Sequence, residues 1–324
     1  MPRISCEGRE LWVSPDDNLL DALLAAGLSV ASACRAGACQ QCLVQATRGT
    51  PPASAQAGLK DAQRLQGYFL ACQAKLSEDL TISLSGARGL DVPARIVSSE
   101  ALSSDVFRVL LRPETPLEYR AGQYITLVRT DGLARSYSIA NQPDADAGCL
   151  ELHVRVFSNG RMSGWLASRQ ALGADVAIRG PIGECFYVPG NPQQPLLLAG
   201  TGTGLAPLWG ILHDALASGH SGPIELWHGA RITHGLYLVR ELEALATSHR
   251  HFSYRRCVLE GTADSGTEVG SLDAAVLASA PSFDGRRVFL CGDPNLVQQL
   301  KRKVFLKGAS LREIHADAFV ASSV

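Results

Sequence analysis

Cys34-Arg35-Ala36-Gly37-Ala38-Cys39-Gln40-Gln41-Cys42, followed after 29 intervening residues by Cys72, is the most informative stretch of this chain. Chance puts three cysteines at one chosen C-x4-C-x2-C spacing in only about one in a hundred chains of this cysteine frequency. Gly37 and the small Ala36 and Ala38 let backbone amides approach sulfur and stabilise its negative charge. One tight loop supplies three sulfurs and a distant segment the fourth. Four thiolates suit an iron–sulfur cluster, and they also suit tetrahedral zinc.

The segment around this loop, residues 1–85, reads as a small α+β unit. Ile4-Ser5-Cys6, a Glu7-Gly8 turn and Leu11-Trp12-Val13 suggest a hairpin. A helix follows, with Asn18 and Asp21 as an N-terminal capping pair and Gly27 as its stop. Gly49 to Gly58, with Pro51 and Pro52, is a loop, and Leu80-Thr81-Ile82-Ser83-Leu84 alternates as a closing strand. Residues 86–92 are the expected linker. The unit holds seven Lys/Arg and eight Asp/Glu, a near balance that suits a redox centre tethered to its electron donor.

The whole chain has 324 residues, enough for two or three domains. A formal charge of −1 argues against nucleic acid as the main partner. Nine cysteines, an odd number, fit poorly with a complete disulfide framework. Cys6, Cys149, Cys185 and Cys257 read as small buried side chains. Met1 to Glu10 lacks an apolar signal core, and Leu19 to Ala33 is interrupted by Asp21, Gly27 and Ser29. A soluble cytoplasmic protein with no membrane contact is expected.

Residues 93–192 are mostly β. Tyr124 to Val128 and Leu150 to Val156 are strand-like, the second with Leu150, Leu152, Val154 and Val156 on one face, and Gly and Pro punctuate an antiparallel barrel. Residues 193–324 alternate strands and helices. Leu196 to Ala199 is a buried strand, and the next helix puts Leu205, Leu208, Trp209, Leu212 and Leu216 on one face. Ile224 to His228 and Arg287 to Leu290 are further strands, and Asp293-Pro294 opens a helix that ends near Gly308.

Several motifs punctuate this frame. Arg135-Ser136-Tyr137-Ser138 offers a guanidinium fork for a phosphate, a flat phenol face and a hydroxyl. Ser158-Asn159-Gly160 leads into Arg161-Met162-Ser163 at a helix start, which suits a pyrophosphate. Gly180-Pro181-Ile182-Gly183-Glu184-Cys185-Phe186 is a turn ahead of the third domain. Gly200-Thr201-Gly202-Thr203-Gly204-Leu205-Ala206-Pro207 joins a buried strand to an amphipathic helix, the position of a dinucleotide loop, although Leu205 stands where G-x-G-x-x-G has its third glycine. Cys291-Gly292-Asp293-Pro294 repeats the strand-to-helix arrangement, with Asp293 able to cap.

Taken in order, these motifs resemble a plant-type [2Fe–2S] ferredoxin fused to a ferredoxin–NADP reductase-like module. Tyr119-Arg-Ala-Gly-Gln-Tyr124, Arg135-Ser-Tyr-Ser-Ile-Ala-Asn141, Leu152-His-Val-Arg155 and Ala316-Asp-Ala-Phe-Val320 carry the likeness over essentially the whole chain. It is similar to reductase components of bacterial ring-hydroxylating oxygenases of the benzoate or terephthalate type, and also to CDP-6-deoxyglucoseen reductase. The resemblance implies a β-grasp ferredoxin domain, an antiparallel flavin barrel and a Rossmann-like nucleotide domain. It implies that Cys34, Cys39, Cys42 and Cys72 hold the cluster. FAD would be held by Arg135, Ser136, Tyr137 and Ser138, by His153, Val154 and Arg155, and by Gly160, Arg161, Met162 and Ser163. NAD(P)H would meet Gly202, Thr203, Gly204, Arg231, Cys291, Gly292 and Asp293. Ser138, Thr203 and Cys291 would flank the hydride path, and Phe319 would cover the flavin or else pack in the core.

The implied activity passes electrons from NAD(P)H through FAD to the [2Fe–2S] cluster and on to a terminal oxygenase component. Delivery to a CDP-4-keto-6-deoxyhexose dehydratase and a non-catalytic redox sensor are the alternatives. Gln40 stands where the family commonly has glycine. Gly229-Ala230-Arg231 ends its strand without an acidic partner for a ribose hydroxyl, so Arg231 could meet a 2′-phosphate; NADH is expected, with NADPH the alternative.

Overall fold

The computed structural model describes residues 1–15, 17–28, 30, 35, 42–84, 92–143, 145–261 and 265–319. Cys34, Cys39, Gly37 and Gln40 lie outside them, as do residues 86–91 of the expected linker. The chain divides into two compact units, Met1–Gly89 and Leu90–Val324. Among the described residues, no helix is long and apolar enough to cross a membrane.

In the first unit the strands are β1 (Arg3–Cys6), β2 (Arg9–Trp12), β3 (Leu43–Arg48), β4 (Tyr68–Leu70) and β5 (Leu80–Ser83), ordered β2-β1-β5-β3-β4. β5 runs parallel to β1 and takes the centre of the sheet. The hairpin closes as expected: Glu7 and Gly8 both have positive φ, 48° and 77°, the pair a two-residue turn with right-handed strand twist requires. Helix α1 (Leu19–Ala25) starts where Asn18 accepts the Leu20 N–H at 3.0 Å. It stops at Gly27, with the Leu28 N–H returning to the Leu23 carbonyl at 3.0 Å. Asp21 does not complete the cap; its carboxylate pairs with Arg35 at 2.8 Å. Leu19, Leu20 and Leu23 are fully buried against Ile4 and Phe69, each such side chain contributing roughly 1.5–3 kcal/mol of transfer free energy. The stretch from Gly49 to Gly58 is not all loop, since Ala53–Gln56 forms a 3-10 turn, and helix α2 (Asp61–Leu65) follows it.

The second unit begins with six antiparallel strands: β6 (Val92–Ala101), β7 (Val106–Pro113), β8 (Tyr124–Arg129), β9 (Ala134–Ser138), β10 (Leu150–Arg155) and β11 (Asp175–Ile182). Val92, expected in the linker, is the first residue of β6 and pairs with Ile178. The order is β10-β7-β6-β11-β8-β9. A bridge between Ile139 and Leu152, with the Ala140 N–H on the Glu151 carbonyl at 2.8 Å, joins the last strand to the first and closes the barrel. Leu150, Leu152 and Val154 fill it from one face of β10, as their alternation implies. The opposite face is not wet. Glu151 and His153 are 5% and 3% exposed, because Tyr237 of the nucleotide half covers His153 while Arg108, Asn141 and His153 enclose Glu151.

That half is a parallel sheet of β12 (Leu196–Thr201), β13 (Ile224–Ala230), β14 (Phe252–Val258), β15 (Thr267–Val269), β16 (Arg287–Gly292) and β17 (Ile314–Ala318), ordered β15-β14-β13-β12-β16-β17. Its helices are α4 (Leu205–Ala217), α5 (Val239–Ser248), α6 (Leu272–Ala278) and α7 (Pro294–Leu306); the short α3 (Arg161–Leu166) belongs to the barrel half. On α4, Leu205, Leu208 and Leu212 are fully buried as expected, while Trp209 and Leu216 are only half-buried. The second buried face of α4 meets the barrel: a Cβ on Gly210 would lie 2.9 Å from both Ala121 Cβ and the Ala140 carbonyl oxygen. The strand order reverses between β12 and β16, and in open parallel sheets that switch point is where ligands bind.

Candidate functional site

The glycine motifs meet at this switch point. After β12 the chain turns through Gly202–Gly204 into α4. A Cβ on Gly204 would lie 2.3 Å from the Cys291 carbonyl oxygen, so only glycine lets the loop rest on β16. Gly292 has φ 118°, and a Cβ there would meet the Thr201 carbonyl oxygen at 2.6 Å. The two strand ends therefore interlock through backbone alone. Asp293 ties them further: its N–H donates to Thr201 Oγ1 at 3.2 Å, while its carboxylate caps α7 by accepting the Leu296 N–H at 3.0 Å. Leu205, at the position of the missing third glycine, points into the core beneath the helix. Thr203 is half-buried at the loop's crest.

Three polar side chains converge beside the loop. Ser138 Oγ donates to Asp317 Oδ2 at 3.2 Å, and Asp317 is the strand neighbour of Cys291 in the β16–β17 pairing. Burial pushes the Asp317 carboxyl above its ordinary range, offset in part by the Ser138 hydroxyl. Burial likewise holds the Cys291 thiol far above the usual range, and its sulfur lies 3.6 Å from that of Cys185. Cys291 is 0% exposed and packs in the core, so its side chain backs the site instead of lining it as expected. Asp317 was not singled out from sequence, although it stands inside the quoted Ala316 to Val320; only the register of β16 on β17 brings it to Cys291. Phe319, half-buried, donates its N–H to the Gly292 carbonyl at 2.8 Å, which fixes it at the same switch point.

On the barrel, β9 carries Arg135, Ser136, Tyr137 and Ser138 opposite Leu127, Thr126, Ile125 and Tyr124. Strand alternation turns Arg135 and Tyr137 to one side and Ser136 and Ser138 to the other. Tyr137 packs against the barrel core and its phenol is pushed up by burial. Gly160 precedes α3; a Cβ there would strike Ser163 Oγ at 2.1 Å. Met162 and Ser163 are buried, so the first turn of α3 offers an anion its backbone N–H groups rather than these side chains. Arg161 is exposed and 3.6 Å from Asp131.

The segment His153-Val154-Arg155 divides. Val154 fills the barrel. Arg155 pairs with Asp105 at 3.0 Å and crosses to the nucleotide loop, its Nη1 lying 2.8 Å from where a Gly202 Cβ would stand. His153 turns to the nucleotide half through Tyr237. At the far end of β13, Arg231 is exposed and its Nε lies 3.3 Å from Glu260 Oε1. The acidic neighbour that the sequence lacked beside Arg231 comes from the segment just past the adjacent strand β14, where the Glu260 N–H also donates to the Arg231 carbonyl at 2.9 Å.

In the first unit, Cys42 and Cys72 are both buried, and the Ala71 N–H on the Cys42 carbonyl at 3.0 Å holds their segments together. Gln73 Nε2 donates to Cys72 Sγ at 3.4 Å and to the Arg35 carbonyl at 3.0 Å, so an amide donor faces one sulfur. Asn18 Nδ2 donates to the Cys72 carbonyl at 2.6 Å. Two adjacent thiols with an N–H donor fit a thiolate-bound metal. Cys6, Cys149 and Cys257 are buried in the manner expected of packing residues.

Comparison with known proteins assigns each part. Residues 3–77 match the 2Fe-2S iron-sulfur cluster binding domain, residues 93–187 the oxidoreductase FAD-binding domain and residues 198–302 the oxidoreductase NAD-binding domain. The ferredoxin–NAD(P)+ reductase component of the naphthalene 1,2-dioxygenase/salicylate 5-hydroxylase systems of Ralstonia sp is 33% identical over 313 residues, 94% of either chain. The chain belongs to this family of reductases. Reductase component 1 of the terephthalate 1,2-dioxygenase of Comamonas sp is 29% identical over 95% of the reductase and 94% of its own length. The crystal structure of the Amycolatopsis cytochrome P450 reductase GcoB superposes with a TM-score of 0.68 at 32% identity, covering 100% of both chains.

The reductase is therefore an NAD(P)H-dependent oxidoreductase that uses FAD and a [2Fe–2S] cluster. The zinc and non-catalytic readings fall away with this assignment. The glycine-backed loop at the switch point suits a dinucleotide, since any Cβ at Gly204 would displace the backbone that a pyrophosphate must approach.

Proposed function

We propose that the reductase, working in the cytoplasm, supplies electrons to the terminal component of an oxygenase system. The convergence of Ser138, Asp317 and Cys291 on the glycine-backed switch point carries the reading. When bound, FAD would supply the conversion between a two-electron hydride input and the one-electron output that a [2Fe–2S] cluster requires. Cys34, Cys39, Cys42 and Cys72 hold that cluster. Arg135, Tyr137, Ser138 and the first turn of α3 hold the flavin. Gly202, Thr203, Gly204 and Asp293 shape the nicotinamide site, and Phe319 would cover the flavin. Asp317 orients the Ser138 hydroxyl by accepting its hydrogen bond, which would leave the Ser138 oxygen lone pairs to accept a hydrogen bond from a bound flavin. The relatives named above belong to oxygenase systems, which favours this outlet over a deoxysugar dehydratase.

Glu260 gives a reason for NADH. Its carboxylate neutralises Arg231 and would repel a 2′-phosphate. With a purified iron-containing oxygenase component as acceptor, reduction of the acceptor should require the reductase, and kcat/KM for NADH should exceed that for NADPH at least about tenfold. Glu260→Gln should narrow the gap to roughly threefold. Acceptor reduction that proceeds without the reductase would contradict the proposed outlet, and a wild-type preference for NADPH would contradict the role of Glu260.

A further inference from the structure

We propose that Tyr237 is a positioning residue: through His153 it locks the nucleotide half onto the flavin barrel and so sets the alignment for hydride transfer. The inference rests on the reductase reading. Tyr237 lies in the connection from β13 to α5, and it is 2% exposed. Its hydroxyl is 3.0 Å from His153 Nδ1 on barrel strand β10. Its ring stands edge-on between two imidazoles, 5.4 Å from His153 and 5.6 Å from His228.

The barrel side of this joint is rigid. His153 Nε2 is 2.8 Å from Glu151 Oε1, and the second Glu151 oxygen accepts from Arg108 at 2.6 Å. Burial would raise the Glu151 carboxyl, but the hydrogen bonds and charges of His153 and Arg108 win and hold it at about 2. Glu151 engages Nε2, which leaves Nδ1 to hydrogen-bond with the Tyr237 hydroxyl. The Glu151 N–H in turn donates to Asn141 Oδ1 at 2.9 Å.

The nucleotide side is strained. Leu238, the next residue, has φ 53° and ψ 26°, a left-handed conformation unusual for a branched side chain. Such backbone persists only where its surroundings over-determine it, and it clusters at functional sites. The Tyr237 clamp supplies that constraint. Arg155, two residues along β10 from His153, lies against the same connection, with Nη2 3.8 Å from a Cβ built on Gly235. A joint between halves, rather than a contact to the nucleotide, governs the rate at saturation more than the affinity.

Tyr237→Phe, which keeps the ring and removes only the hydroxyl, should slow NADH-driven flavin reduction at saturation about tenfold, with KM changed less than about twofold. Amide hydrogen exchange over residues 231–238, measured without nucleotide, should quicken. Tyr237→Phe added to His153→Phe should cost nothing more, whereas His153→Gln, which retains an acceptor, should recover part of the rate. A wild-type rate in Tyr237→Phe, additive losses in the double variant, or unchanged exchange would each overturn the proposal. If Tyr237→Phe does not retain FAD, the exchange and rate of His153→Gln against His153→Phe decide the matter. Wild-type protein that NADH cannot reduce would instead overturn the reductase reading.

Discussion

Cys72→Ser should leave NADH-driven bleaching of the flavin intact and lower cytochrome c reduction at least about a hundredfold. A hydroxyl is a far poorer iron ligand than a thiolate, so the cluster is lost or crippled while the flavin, in the other compact unit, is untouched. The substitution is mild for the fold. Cys72 is buried, but its position is set by its backbone, through the Asn18 amide on its carbonyl at 2.6 Å, and serine is nearly isosteric. Stopped-flow absorbance with NADH and then cytochrome c separates the two steps. Full cytochrome c reduction by the variant would mean that electrons leave from the flavin and that the relay order is wrong.

Gly204→Ala should reduce kcat/KM for NADH about a hundredfold while chemical reduction by dithionite proceeds as in the wild type. The added methyl would stand 2.3 Å from the Cys291 carbonyl oxygen, 2.6 Å from its carbon and 2.9 Å from Gly292 Cα. All three are backbone atoms, so the loop must lift off β16 rather than a side chain rotate away. Overpacking of this kind costs about 1–3 kcal/mol. The displacement falls on the loop that shapes the nucleotide site, so binding and alignment suffer together. Gly190→Ala is the control, because its Cβ position meets nothing closer than Arg287 Nη2 at 3.9 Å, an ordinary contact away from the loop. Indistinguishable NADH kinetics in the two variants would remove the glycine loop from the site.

What could be read from sequence was local chemistry. The Glu7-Gly8 turn, the Asn18 cap and Gly27 stop of α1, and the Asp293 cap of α7 each depend on a few neighbouring residues, and each forms as its residues dictate. The cysteine spacing and the two strand-to-helix glycine turns were legible for the same reason. β4, α2 and β3 carry no clear apolar alternation over their three to six residues, so nothing local marks them. Features that depend on pairing were also hidden. Glu260 meets Arg231 only because β14 lies beside β13, and Asp317 meets Ser138 only because β17 lies beside β16. Strand β10 looked one-sided because Leu150, Leu152 and Val154 alternate with polar residues. Those polar residues are buried too, and the signal was there in their chemistry: a Glu and a His two residues apart, with Arg108 opposite, can satisfy one another away from water.

Iron, acid-labile sulfide and flavin content of one anaerobically purified sample, followed by titration with NADH, tests the electron relay most directly. The account predicts about two irons, two sulfides and one FAD per chain, with both flavin and cluster absorbance bleached by NADH. Zinc without sulfide, or a flavin that NADH cannot reduce, would contradict it.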